Sequence, residues 1–275
     1  MLSSEKQMKE IKLLPVFIEC INRLGVAIRA IEDGLVPKPV FTDVSGQRQY
    51  RYEQHTAYHV AFLKGVRVVS GLNACLFLLR GGFVQEAMMI VRTLDDFLNE
   101  MRFILENSES GALDNHQNKF IEDFFQEEFK NPNNAMLNET RREIVPKKKI
   151  WASVARQMGP YVNPCDLQKM FQVTNDALSG YVHGAYPHIM EMYGGSPPKF
   201  HTEGMHAAPR IRMCIDQIQV YTQGAITAFE DLAKSLGSKE LFEYLHKTRE
   251  YFEKQTEYVQ PVNLNKHVRS LKKRK

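Results

Sequence analysis

The sequence of 275 residues is marked first by what it lacks. Its four cysteines, Cys20, Cys75, Cys165 and Cys214, lie far apart. None forms a CxxC pair, so zinc-ribbon and dithiol redox chemistry are excluded by spacing, and reduced thiols buried in apolar helical patterns are expected. The longest apolar stretches, such as 71–79, are about half of the roughly 20 residues a membrane helix needs, so no membrane partner is expected. The start, Met1-Leu2-Ser3-Ser4-Glu5-Lys6, leads into charge instead of an apolar export core, which predicts a cytoplasmic location. There is no GxSxG elbow, HExxH or paired ExxH, and His183, His188, Glu191, His201 and His206 crowd together without any metal-ligand spacing. Neither a cofactor nor a resident metal is expected.

What remains is ordinary globular material: 43% hydrophobic and 25% charged residues, with a net charge of +4. The positive charge is concentrated in lysines 147–149 and in 266–275. That pattern predicts one helical domain over 1–256, with 107–146 as a lid or insertion, and a basic flexible tail over 257–275. Lys272, Lys273, Arg274 and Lys275 are its candidate nucleic-acid contacts.

The periodicity is helical nearly throughout, and no internal repeat stands out. A first helix is expected after Pro15, carrying Phe17, Ile18, Ile21, Leu24, Ile28 and Ile31 and stopping at Gly34. The segment 35–46 reads as an extended loop that could hold at most a strand pair. A second helix is expected over about 51–80, with a possible kink at Ser70-Gly71. After Gly81-Gly82 a third places Phe83, Ala87, Ile90, Leu94, Leu98, Met101 and Leu105 at spacings of three and four. Those two helices predict an antiparallel hairpin at the centre of an all-α bundle of about eight helices. Further helices are expected from Asp114 to about Phe129, over 135–157 with a break at Pro146, from Asn163-Pro164 through Val182, over 208–236, and from Ser238 to about Lys254.

One segment is unusual for its chemistry. Asp176, Ser179 and His183 fall on one helical face, and glycines flank Tyr181 and His183 where a helix tolerates them poorly. A histidine there is a candidate proton acceptor or donor held by a carboxylate, which makes His183 and Asp176 the candidate catalytic pair. A hydrolase triad does not follow, because residues on one stripe point in parallel and do not converge on a carbonyl. Arg80, Glu86, Arg92, Asp95, Asp96, Glu100 and Arg102 load the central hairpin with charge. If that stripe turns inward beside His183, it makes a polar pocket in which Arg80, Glu86, Arg92, Asn175, Ser179, Tyr181 and His188 are candidate ligand contacts.

The turn Arg80-Gly81-Gly82-Phe83 leading to Glu86-Ala87 and Arg92-Thr93, followed much later by Ser179-Gly180-Tyr181-Val182-His183-Gly184, resembles bacterial all-helical families of unknown function. More distantly it resembles the HEPN superfamily of nucleotide- and RNA-binding proteins. That resemblance implies a helical bundle that often dimerises, and members that act as RNases in toxin, antiviral or stress systems. HEPN RNases carry an arginine, commonly followed by Asn or Asp, four to six residues before the histidine. Here Asn175-Asp176 stands in that place before His183 and the arginine is missing, so a group to stabilise a pentavalent phosphate is absent there. Arg48 and His55 match the spacing elsewhere. The sequence thus predicts a helical protein that binds a nucleotide or RNA. The alternatives are a non-catalytic homodimeric interaction or regulatory module, and a ribonuclease with a degenerate HEPN-like site.

Overall fold

A computed structural model describes residues 4–44, 46–106, 108, 112–127, 144–158, 162–206, 208 and 210–257. Among them it contains nine helices: α1 (Ser4–Gly34), α2 (Ala57–Arg80), α3 (Val84–Leu105), α4 (Asn115–Phe124), α5 (Lys147–Gln157), α6 (Pro164–Val182), α7 (Tyr186–Met190), α8 (Ile211–Ser235) and α9 (Lys239–Thr256). Two small antiparallel hairpins complete the set, β1 (Val40–Val44) with β2 (Gln47–Arg51) and β3 (Tyr193–Gly194) with β4 (Lys199–Phe200). The architecture is the expected all-α bundle built around the α2–α3 hairpin.

The hairpin is made by Gly81-Gly82. Gly82 sits at φ +77°, where a side chain is strained, and a Cβ there would lie 2.7 Å from the backbone nitrogen of Met205. Met205 N–H instead donates to the Gly82 carbonyl at 2.9 Å. The returning helix then buries Ala87, Val91, Leu94, Leu98 and Met101 against α2 and α8. α2 runs unbroken through Ser70-Gly71, where the missing Cβ of Gly71 leaves room for Leu94 of α3.

Around this hairpin α8 packs on α2 and α3, α9 covers α8 and α1, and α1 closes the remaining flank of α2. Phe17, Leu24, Leu72, Leu94, Phe229, Leu245 and Phe252 lie in this shared core. By length and composition α2 could cross a membrane. Its apolarity is accounted for by burial, since Val60, Val68, Leu72, Cys75, Leu76 and Leu79 all face neighbouring helices.

Several boundaries differ from the sequence reading. α1 starts at Ser4, so Pro15 lies inside the helix and not in its first turn. The second helix starts at Ala57, capped by the Thr56 side chain accepting from His59 N–H at 3.3 Å; residues 47–51 pair instead with β1. α4 has the expected Asp114 cap, reinforced by Gln117 reaching back to the Asp114 N–H. It ends at Phe124, and α5 begins only after Pro146. Cys165 is exposed while Cys20, Cys75 and Cys214 are buried, and burial pushes each of those three thiols up to about 12. Residues 128–143 and the tail with Lys272, Lys273, Arg274 and Lys275 lie outside the described residues.

Candidate functional site: the polar seam between α3 and α6

The residues that chemistry singled out meet along the seam between α3 and the α6–α7 arm. Asn163 caps α6 by accepting from Cys165 and Asp166 N–H, and Pro164 occupies its first turn, so the start of α6 is fixed locally. From there α6 lies across α3 and α5.

At the centre of the seam is Arg92, only 7% exposed. Its Nη1 pairs with Asp96 at 2.8 Å, Nη2 donates to the Asn175 side-chain carbonyl, and Nε donates to Ser179 Oγ at 3.4 Å. The other oxygen of Asp96 holds Lys147 Nζ at 2.8 Å. One guanidinium therefore ties α3 to α6, and its counter-ion ties both to the start of α5. With three of its nitrogens engaged, Arg92 acts as a latch on α6 and leaves little to grip a phosphate.

A second cluster forms where α6 ends. Glu191 Oε2 accepts from Tyr181 OH at 3.3 Å and from Gln85 Nε2 at 2.9 Å, while Oε1 pairs with Arg210 at 2.7 Å. His188 stands 3.5 Å from the same carboxylate, and its ring lies on the Tyr181 ring with centroids 4.0 Å apart. Burial and the charge of Glu191 push the Tyr181 phenol up to about 12, so it stays a donor at neutral pH. Gly180 is explained by this packing, because a Cβ there would overlap the His188 imidazole.

Deeper in α3, Asp95 is buried and accepts from Tyr221 OH of α8 at 3.1 Å. Burial raises the Asp95 carboxyl above its ordinary value, with the Tyr221 hydrogen bond acting against that shift.

The structure thus brings together Arg92, Asn175 and Ser179, and separately Tyr181 and His188. It leaves Arg80 exposed at the end of α2, and Glu86 half-buried on the first turn of α3 beside the Met205 segment. His183 ends α6 and is solvent-exposed, and only its backbone N–H is used, bonded to the Ser179 carbonyl at 3.0 Å. Asp176 is likewise exposed and accepts from the Asn175 amide at 3.1 Å, so it does not orient His183. In place of the expected pocket around His183 there are two part-buried polar clusters along α6, with His183 on the outer surface. Among the described residues no group of three His, Cys, Asp or Glu side chains could hold a metal ion.

The sequence reading missed Glu191 and the outer face of α6. Met170, Val173 (61% exposed) and Val182 of α6, Tyr186 (76% exposed), Ile189 and Met190 of α7, and Tyr193 and Phe200 of the last hairpin are all open to solvent. The available signal was a helix with two apolar stripes: Leu167, Leu178 and Tyr181 facing in, and Met170, Val173 and Ala177 at helical spacing facing out. Compared with known proteins, the chain matches no family model, no curated protein and no solved structure.

Proposed function

We propose that this chain is a homodimeric helical interaction module whose α6–α7 face meets the same face of a second copy. The observation that carries the reading is the number of large apolar side chains left exposed between Met170 and Phe200, on α6, α7 and the β3–β4 hairpin. Exposed large apolar residues are common singly, and it is the concentration of eight of them in 170–200 that points to an interface. The buried Arg92 latch supports the same reading, because it holds α6 rigidly enough to present that face. The test is the mass of the protein in solution by light scattering across a concentration series. Two-chain particles are expected for the native protein, and single chains for a Val173→Glu, Tyr186→Glu variant with unchanged circular dichroism. A native protein that stays single at its highest soluble concentration would sink the reading.

A second reading, binding of a nucleotide or RNA, is favoured by the cationic start of α5. Lys147, Lys148 and Lys149 are exposed on its first turn, and His183 and Asp176 are exposed on α6. Labelled single-stranded RNA is expected to bind with an affinity that falls as salt rises, and to lose most of it in a Lys148→Glu, Lys149→Glu variant. Binding that ignores both salt and the charge reversal removes this reading. The RNase alternative requires in addition that His183→Ala abolish cleavage.

A further inference from the structure

A cleft of about 850 Å³ opens between α1, the β1–β2 hairpin, the first half of α2 and the end of α4. It shares no lining residue with the α3–α6 seam, and it falls in the size range of small-molecule sites. Its walls are unusually aromatic for so open a surface: Tyr50, Tyr52, Phe62, Phe124 and Phe125 all line it. His55 adds an imidazole lying flat on Phe125, with centroids 4.0 Å apart and planes 5° from parallel.

The charges at its lip decide what such walls are suited to hold. Arg51 is fully committed: it pairs in bidentate fashion with Glu127 at 2.6 and 3.0 Å, and its remaining donors go to Gln49 and the Tyr50 carbonyl. Arg51 and Glu127 therefore cancel. That leaves Glu32, an exposed carboxylate on α1 that lines the cleft and has no cation paired to it among the described residues. Its charge is felt inside, since burial and then Glu32 raise the Tyr52 phenol. Among the described residues the cleft is aromatic and carries one uncompensated negative charge.

An anion is repelled by such a site, and a neutral apolar guest makes no use of Glu32. A cation with an apolar shell uses both features, through the faces of the rings and the nearby carboxylate. The molecule already contains this chemistry next door. The ammonium of Lys64 stands 4.9 Å from the Phe97 ring and 5.2 Å from the Phe124 ring, and pairs with Glu100 at 2.6 Å. We propose that the cleft binds a small organic cation of the alkylammonium class, with Glu32 as counter-ion and the tyrosine and phenylalanine walls as its cage.

The experiment is a calorimetric or saturation-transfer titration of the full chain with choline. In parallel it uses choline's uncharged isostere, in which carbon replaces the ammonium nitrogen, and adenosine monophosphate as an anionic planar probe. Choline is expected to bind and its isostere to bind at least about tenfold more weakly, since only the charge differs. Glu32→Gln keeps the shape of the lip and is expected to cost about tenfold in choline affinity. Tyr50→Leu, at a residue already 66% exposed, removes a ring face without disturbing the core and is expected to weaken binding too. Equal binding of choline and isostere, indifference to Glu32→Gln, no choline binding, or binding of the nucleotide in its place would each overturn the proposal. Dimerisation through α6–α7 is read separately by light scattering, so failure of one leaves the other standing.

Discussion

α2 and α6 are both apolar helices of similar length, yet they end in opposite situations. α2 meets α1, α3 and α8 and buries half of its 24 residues, Val60, Val68, Leu72, Cys75, Leu76 and Leu79 among them. α6 meets chiefly α3 and α5; it buries Leu167, Leu178 and Tyr181 and leaves Met170, Val173 and Val182 in water. The difference teaches that apolar content alone does not separate a core helix from an interface helix. What separates them is whether the chain supplies a partner for each apolar stripe.

The sharpest way to break that comparison is to truncate one residue on each side of it. Phe229 of α8 is fully buried, with its ring against Gly65 of α2, and Phe229→Ala is expected to lower the unfolding free energy by about 4 kcal/mol. Val173→Ala on the outer stripe is expected to stay within about 0.5 kcal/mol at low protein concentration. Urea titrations of the two variants give both numbers. A comparable loss for Val173 would mean that the outer face of α6 is packed within the chain, and the contrast would fail.

The next effect in size concerns what holds α6 in place. Arg92→Met keeps the bulk but strips Asn175 and Ser179 of their donor and leaves Asp96 with Lys147 alone. Breaking a buried pair by removing one partner costs about 3 kcal/mol. Because the guanidinium is the polar link between α3 and α6, amide exchange should rise first in α6 while α2 keeps its protection. Uniform loss of protection across both helices would show that α6 is not a separable arm.

A smaller effect of opposite sign is expected at Asp95. Burial raises its carboxyl above the ordinary value in the folded chain, so the folded state holds the proton more tightly than the unfolded one. By linkage its contribution is present at acid pH and is lost as pH rises through the raised folded value. Asp95→Asn keeps an acceptor for Tyr221 and removes the charge, so stability at neutral pH should rise by about 1 kcal/mol, and this part of the pH slope should flatten. Destabilisation at neutral pH would mean that the charge is held by its arginine neighbours more strongly than burial opposes it.

These residues also mark where the sequence was legible. The α2–α3 hairpin could be read because its signals are local: a two-glycine turn and apolar spacings of three and four. The caps at Asp114 and Asn163 are equally local. The strand pair allowed in 35–46 is present, but its second strand lies beyond that segment and runs to Arg51, where the pattern suggested the start of a helix. In the candidate site, the charged stripe of α3 could be seen, but not which residues would meet it: Arg92 and Asn175 are 83 positions apart. Gly180 looked like a helix defect, and only the His188 ring seated on it explains the choice. The aromatic cleft draws on segments from residue 28 to residue 127, and none of them is unusual alone.

The smallest effect is expected at His183, where the comparison between core and surface bears directly on function. Its imidazole is exposed at the end of α6, and the backbone N–H that closes the helix remains whatever side chain follows. His183→Ala should therefore change stability by no more than about 0.5 kcal/mol, as for other surface positions without a partner. Any change it makes in RNA binding or in self-association must then come from the side chain at the α6 surface and not from a weakened fold. Measured together, thermal unfolding, RNA affinity and particle mass separate the cases. Unchanged stability with altered affinity places His183 in a binding surface, and unchanged stability with altered mass places it in the interface between copies. A large loss of stability would instead mean that the end of α6 is held by this imidazole, and that the outer face is not the open surface on which both functional readings depend.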